Sequence, residues 1–226
     1  MENVPEGIEV RDGREILPEN KLLRYDMKNR KSYALGSDIF RYEMMKHEVG
    51  YWVDADIYVM HPINLEVDYI FGYEAANYIN CAVLYLPGSS EIITELFDYI
   101  YSRPFLPPWW SVRKKVKQKI LSIVKADKPI TKAGWGATGP RALTHFSLKL
   151  GLDGYAQGTD IFYPLPYRNA DEIFIPGADI FSYCSDRTLT IHFWNEKIKL
   201  QKQKHPPENS FIYNLCEKHG IALGLN

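Results

Sequence analysis

The sequence has little of what marks several specialised classes of protein. It contains only three cysteines, widely spaced, has no apolar run of about 18 residues, and carries a formal net charge of only −1. These absences argue against a disulfide framework, a cysteine zinc site and a membrane-spanning helix. The balanced charge argues against a basic nucleic-acid binder, so we expect no nucleic-acid partner. Because sparse cysteines suit a reducing compartment, we expect a cytoplasmic location.

The 226-residue chain contains enough apolar residues to form a folded core. Apolar residues make up 46% of the sequence, a composition typical of globular domains and not of disordered chains. Hydrophobic patterns predict strands at residues 50–53 (buried), 57–60, 69–73, 82–86 and 188–194. They predict helices at residues 33–48, 90–102 and 210–220. We therefore predict a single α/β domain over residues 1–226, with a mixed central sheet and flanking helices.

Residues 103–128 form a basic, aromatic segment that we interpret as an insertion in this domain. A proline-rich loop with Phe105, Trp109 and Trp110 looks exposed, and six cationic residues follow between positions 113 and 125. This composition suits the surface of an anionic membrane, so we expect peripheral contact with the inner membrane face through residues 105–125. An ordinary solvated helix with a loop packed on it is the alternative. Further along, residues 133–187 are interpreted as Gly- and Pro-rich connections.

The sharpest local feature is the pair Asp54 and Asp56 at the end of an apolar run. In an extended chain, residues i and i+2 point to the same side, so the two carboxylates face the same way. Carboxylates beyond a strand end suit Mg²⁺ or Mn²⁺ that also holds phosphate oxygens. On this tripeptide alone, a solvated turn with two acids is the alternative.

A second charged pair, Asp38 and Arg41, lies upstream on one face of a predicted helix. One interpretation is a surface ion pair of little energetic worth. The other is a carboxylate that accepts sugar hydroxyls beside a cation that faces phosphate.

Five short segments in this order resemble the signature of the DXD-type sugar transferases. That superfamily includes globotriaosylceramide synthase, yeast initiating mannosyltransferases and many bacterial capsule and lipopolysaccharide enzymes. The resemblance covers about residues 30–200, and Val49 stands where the family has the first of two glycines. The segments are Ser37-Asp38-x-x-Arg41, Gly50-Tyr51-Trp52-Val53-Asp54-Ala55-Asp56, Ile79-Asn80, Thr138-Gly139-Pro140-x-x-Leu143-Thr144 and His192-x-Trp194.

The resemblance implies a GT-A fold, which is a Rossmann-like domain that binds a nucleotide-sugar and a divalent metal, Mn²⁺ or Mg²⁺. It implies retaining transfer of a hexose from a nucleoside-diphosphate sugar, by default a UDP-sugar, to a glycan or lipid-linked acceptor. Surface polysaccharide synthesis is the implied setting. No nucleophile is identified, and Glu74 is interpreted as a possible sugar contact, with a surface residue as the favoured alternative.

The resemblance also implies roles for individual residues. Asp56 would bind the metal, and Asp54 would contact the metal and the donor ribose. His192 would be the third metal ligand, with a hydrogen-bonded core histidine as the alternative. Trp194 would cover the diphosphate, with plain core packing as the alternative. The donor would also contact Ser37, Asp38, Arg41 and Asn80. The acceptor region would contain Thr138, Gly139 and Pro140. The implied catalytic residues are Asp38, Arg41, Asp54 and Asp56.

One part of the family pattern has no counterpart in this sequence. The family's first strand cradles the nucleotide base, and the segment at residues 4–10 looks like a later piece. We therefore expect an N-terminally truncated domain, and a non-catalytic domain that only binds a saccharide or partner stays open as an alternative. A two-carboxylate Mg²⁺ enzyme acting on phosphate esters ranks last, because the sequence has no second acidic cluster.

Overall fold

The computed structural model describes residues 4, 7–27, 30–134 and 136–221. Of the segment at residues 4–10, Pro5 and Glu6 lie outside this part of the chain. The chain divides into two compact units, each assembled from two separate stretches. The first unit comprises Met1–Gly50 and Pro87–Thr138, and the second comprises Tyr51–Leu86 and Gly139–Asn226.

The first unit is mainly helical. A short antiparallel hairpin of β1 (Tyr25–Met27) and β2 (Arg30–Ser32) precedes α1 (Ala34–Lys46), α2 (Glu91–Tyr101) and α3 (Val112–Ile123). Buried residues recur every three or four positions along α1 and α2, which is the period of a helix with one inward face. In α1 they include Leu35, Ile39, Tyr42 and Met45. The helices predicted at residues 33–48 and 90–102 are confirmed.

The second unit contains the larger sheet. Its strands are β3 (Trp52–Val53), β4 (Ile57–Val59), β5 (Ile70–Ala75), β6 (Tyr78–Tyr85) and β7 (Thr190–His192). Its helices are α4 (Pro140–Lys149), α5 (Thr159–Phe162) and α6 (Phe211–Lys218). The strand order is β3-β6-β5, with β4 and β7 as a separate pair. The predicted α/β class is confirmed. Among the described residues every ladder is antiparallel, and one isolated bridge, between Gly72 and Gln157, is parallel.

The core of the second unit is built around β6. Residues 79–84 of this strand are all buried, as expected for a central strand covered on both faces. The aromatic rings of Phe162 and Tyr163 pack in the same core, and the Tyr163 hydroxyl accepts a hydrogen bond from the Val83 backbone N–H at 2.9 Å. Burial raises the pKa of Tyr163 well above its usual value, so the phenol stays neutral.

Two sequence predictions are wrong at this level. The strand predicted as buried at residues 50–53 is a two-residue edge strand with Tyr51 and Val53 exposed, because β3 pairs on one side only. The connections predicted for residues 133–187 contain α4 and α5. Pro140 opens α4 at its first helical position, where a proline needs no N–H partner and so favours a helix start. None of the described helices is long and apolar enough to cross a membrane.

The close approach of β5 to the core ring of Phe162 gives a test of this packing. A Cβ added at Gly72 would lie 2.8 Å from Phe162 Cδ2 and 3.3 Å from the Gln157 carbonyl oxygen. Gly72→Ala should therefore lower the free energy of unfolding by about 1–3 kcal/mol in a urea titration, because a buried ring must shift. Gly154→Ala is the control, since a Cβ there meets nothing within 4 Å. Equal stability of the two variants would contradict this packing.

Candidate functional site

The pairing of β4 with β7 brings together the residues of the predicted metal site. Ile57 lies opposite His192 in this antiparallel ladder. Asp56 directly precedes β4, and its carbonyl oxygen accepts the Phe193 N–H at 2.9 Å, which extends the pairing by one step. As a result, the Asp56 side chain and the His192 ring meet at one end of the pair.

The geometry of the cluster fits a divalent cation. Potential ligand atoms of Asp54, Asp56 and His192 all lie within 4.8 Å of one another. Nε2 of His192 is 3.2 Å from Oδ2 of Asp56. Two carboxylates and an imidazole form a donor set that suits Mn²⁺, and Mg²⁺ would depend mainly on the carboxylate oxygens. These three residues could therefore hold a metal ion.

Asp56 is held in its ionised form. Burial raises the pKa of its carboxyl, but hydrogen bonding and charge interaction with His192 outweigh this, and the net pKa is lowered. The backbone N–H of Asn195 also donates to Oδ2, at 2.8 Å. An ionised carboxylate is the form that binds a cation, and His192 could join it as a ligand through Nε2 only in the tautomer that leaves this nitrogen unprotonated.

Asp54 is positioned by strand β6 and by its neighbours in the chain. Its backbone N–H donates to the Ala82 carbonyl of β6 at 2.8 Å, and its own carbonyl accepts the Ile57 N–H at 3.0 Å. The indole N–H of Trp52 donates to Oδ1 of Asp54. The sequence alone predicts no role for Trp52, although its place two residues before Asp54 in an extended segment puts the two side chains on the same side.

The His192 ring lies in an aromatic environment. It stacks on Trp194 with ring centroids 3.9 Å apart and lies 5.8 Å from the Tyr163 ring. Its Nδ1 is buried and, among the described residues, has no hydrogen-bond partner. Leaving a buried nitrogen without a partner costs about 1–3 kcal/mol, so the His192 ring is hydrogen-bonded at Nε2 and carries this cost at Nδ1.

Trp194 adopts a backbone conformation that is rare for a bulky side chain. Its φ is +55°, in the left-handed region. The side chain is buried, and its indole N–H donates to the Leu165 carbonyl at 2.8 Å. The structure thus places Trp194 against His192, with its polar atom used inside the fold. Strained residues of this kind cluster at functional sites.

Asn80 and Glu74 form a polar pair on β6 and β5 of the same unit. The Asn80 amide donates to Glu74, and its oxygen accepts the Ala82 N–H at 2.7 Å. Burial raises the pKa of the Glu74 carboxyl, despite opposing effects of Asn80 and His192. Glu74 is half-buried. Asn80 therefore acts within the fold as a support for Glu74 and for the start of the buried β6 run.

The second charged pair lies in the first unit and is buried. The Asp38 and Arg41 side chains are only 7% and 6% exposed, and Arg41 Nη2 is 3.8 Å from Asp38 Oδ1. Arg41 also contacts the Ser37 side chain at 3.3 Å. The interpretation as a surface ion pair is therefore wrong, because α1 turns both residues away from solvent.

Thr138 connects this pair to a different motif. Its hydroxyl donates to Oδ2 of Asp38 at 2.7 Å and lies 2.9 Å from the Tyr25 hydroxyl, while its carbonyl accepts the Tyr42 hydroxyl at 2.8 Å. Thr138 itself is fully buried. Two segments a hundred positions apart, the Ser37–Arg41 motif and the Thr138 motif, thus share one buried polar network.

The rest of the Thr138 motif belongs to the second unit. Gly139 is the N-cap of α4 and Pro140 its first residue. Thr144 accepts the Ile79 N–H at 2.9 Å and donates to the Pro140 carbonyl at 2.7 Å, which ties α4 to β6 beside Asn80. In the first unit Thr138 therefore contacts the Ser37–Arg41 motif, and in the second unit Thr144 contacts the Ile79-Asn80 segment.

The Thr138 network can be tested by a shape-conserving change. Thr138→Val removes the hydroxyl that bonds to Asp38 and Tyr25, and should lower the free energy of unfolding by about 1–3 kcal/mol. Thr138→Ser keeps the hydroxyl and should lose only about 1 kcal/mol for the missing methyl group. Urea titration followed by tryptophan fluorescence measures both. A Val variant more stable than the Ser variant would contradict the network.

The metal site can be tested without any substrate. Mn²⁺ at about a hundredfold above its Kd should stabilise the protein by about 2.7 kcal/mol, seen as a rise in Tm. Asp56→Asn should abolish this rise because it removes the central charged ligand. Asp186→Asn, at an exposed carboxylate of the same unit, should leave it intact. An unchanged Mn²⁺ response in Asp56→Asn would show that the ion binds elsewhere.

Comparison with known proteins adds no relative to this picture. No protein-family model, curated protein or solved structure matches the chain. The candidate site is therefore defined by the geometry of its own residues, with Asp54, Asp56 and His192 as the cluster that could hold a metal.

Proposed function

We propose that the chain is a metal-dependent, retaining glycosyltransferase of the GT-A type. It would move a hexose from a nucleoside-diphosphate sugar, by default a UDP-sugar, to a glycan or lipid-linked acceptor in surface polysaccharide synthesis. The observation that carries the proposal is the convergence of Asp54, Asp56 and His192, whose ligand atoms lie within 4.8 Å of one another. The α/β class of the fold is in keeping with a GT-A domain.

The chemistry of the leaving group explains why such a cluster suits this reaction. Breaking the anomeric C–O bond places negative charge on the nucleoside diphosphate. A divalent ion bound at the cluster would supply charge stabilisation worth several kcal/mol. The protein's own contribution is to keep Asp56 ionised and oriented, through His192 and the Asn195 N–H. Trp52 orients Asp54 through its indole N–H.

In this proposal Asp38 and Arg41 serve the donor sugar and its phosphates. A carboxylate accepts hydrogen bonds from sugar hydroxyls, and a guanidinium donates to phosphate oxygens. Both side chains are buried, so their electrostatic interactions are stronger than they would be in water. Thr138, expected in the acceptor region, bonds to Asp38 directly, so we assign it to the positioning of that carboxylate.

The proposal predicts loss of activity on removal of one ligand. Asp56→Ala should lower Mn²⁺-dependent hydrolysis or transfer of a nucleoside-diphosphate hexose by at least about a hundredfold, the equivalent of several kcal/mol of charge stabilisation. Release of the nucleoside diphosphate from a panel of UDP-hexoses, with and without Mn²⁺, is the measurement. Far-UV circular dichroism checks that the variant stays folded, and Asp186→Asn is the matched control.

Other outcomes separate the proposal from its alternatives. Full activity of folded Asp56→Ala would overturn the assignment of the site. Mn²⁺ binding with no turnover of any nucleoside-diphosphate sugar would favour the non-catalytic domain that only binds a saccharide or partner. Hydrolysis of simple phosphate esters, in preference to nucleotide-sugars, would favour the phosphate-ester enzyme.

A further inference from the structure

Helix α3 carries a row of aliphatic side chains that faces solvent. Val112, Val116, Ile120 and Ile123 are spaced by four, four and three positions, so they lie on one side of a helix with about 3.6 residues per turn. Val112 is 77% exposed, Ile120 60% and Ile123 81%. Helices on globular proteins normally turn such a row toward the core. We call these four residues the outer row of α3.

The opposite, polar side of α3 is the one that packs on the protein. Gln118 is buried, and its amide donates to the Lys128 carbonyl at 2.7 Å. Lys115 donates to the Pro108 carbonyl at 2.6 Å, and the Lys114 ammonium lies 3.7 Å from the centre of the Trp110 ring. The helix is thus anchored by its polar side chains and presents its apolar ones outward.

The surface around the outer row is strongly basic. Helix α3 contains five cationic residues and no acidic one, although the whole chain has a net charge of −1. Arg113, Lys117 and Lys119 are all exposed. On the packed side of the helix, opposite the outer row, a cleft of about 440 Å³ is lined by ten residues, among them Asp127 and the cations Lys114, Lys117, Lys128 and Lys132. Positive charge therefore continues from the helix onto the adjoining segment of the first unit.

The aromatic loop before α3 is not the exposed element that its sequence suggests. Phe105 is 1% exposed and packs against Tyr99 of α2, with ring centroids 5.0 Å apart. Trp109 contacts the same tyrosine at 5.8 Å. The prediction that Phe105 and Trp109 lie in an exposed loop is therefore wrong, because both rings pack against Tyr99 of α2. The exposed apolar surface of this segment lies on α3 itself.

We infer that α3 docks in the interface of an anionic membrane, with its axis in the membrane plane. The outer row would enter the boundary between headgroups and acyl chains, and Arg113, Lys117 and Lys119 would face headgroup phosphates. A nucleic acid, or an acidic protein surface without an apolar groove, would use the cations but leave four aliphatic side chains in water. An anionic lipid surface matches both the charge and the apolar row.

The test measures flotation of the purified protein with phosphatidylcholine vesicles that contain about one third phosphatidylserine. The protein should bind these vesicles at low salt, bind pure phosphatidylcholine far more weakly, and be released by high salt. Ile120→Ser with Ile123→Ser removes apolar surface while keeping every charge, and should weaken binding by about a hundredfold. Lys117→Gln with Lys119→Gln should weaken it by about thirtyfold.

A matched control comes from the second unit, where Leu200 is 72% exposed beside the exposed Lys199. Leu200→Ser with Lys199→Gln should leave binding unchanged, and circular dichroism should show that all variants are folded. Full vesicle binding by either α3 variant would overturn the inference. The inference would also be overturned if the protein bound heparin but not vesicles and the double Ser variant kept its heparin binding. That pattern would indicate a polyanion site. No donor or acceptor is needed, so the result is independent of the proposed transferase activity.

Discussion

The pairing of β4 with β7 is the constraint on which the candidate metal site depends. Asp56 and His192 are 136 positions apart in sequence, and the ladder that sets Ile57 opposite His192 is what brings them to 3.2 Å. Successive side chains alternate between the two faces of a strand, so a slip of one residue would turn His192 away from Asp56. The Asn195 N–H, which donates to the same carboxylate, depends on that register as well. A short ladder therefore fixes both the position and the charge state of the central ligand.

The buried charges of the first unit have a different physical meaning. Removing a carboxylate and a guanidinium from water is expensive, and the attraction between them repays it only partly. Asp38 and Arg41 are nevertheless buried together, and Thr138 and Ser37 supply additional polar contacts. Apolar residues of similar volume would serve stability at least as well. The burial of this pair is therefore weak evidence that the pair stabilises the first unit.

Local patterns predicted several elements but missed α4 and α5, and they did not predict which surfaces meet. Periodicity placed α1, α2 and β4, and the Ser210 cap and Gly220 correctly bracketed α6. It could not reveal that Trp52 holds Asp54 or that Thr138 holds Asp38, because such partners are set by tertiary packing. Helix α3 shows the limit most clearly. Its sequence identifies an apolar side, yet only the buried Gln118 reveals that this side points outward.

The chain passes between its two units three times, after Gly50, after Leu86 and after Thr138. Strands β3 to β6 of the second unit are therefore synthesised before the second stretch of the first unit, and β7 comes much later. Domains that are continuous in sequence can fold one after another as they leave the ribosome. Here the second unit does not have that option, since β6 packs with α4 and β4 pairs with β7, and both partners follow the second stretch of the first unit in sequence. The buried strand β6 is consequently a segment that needs protection from aggregation until the C-terminal half of the chain has emerged.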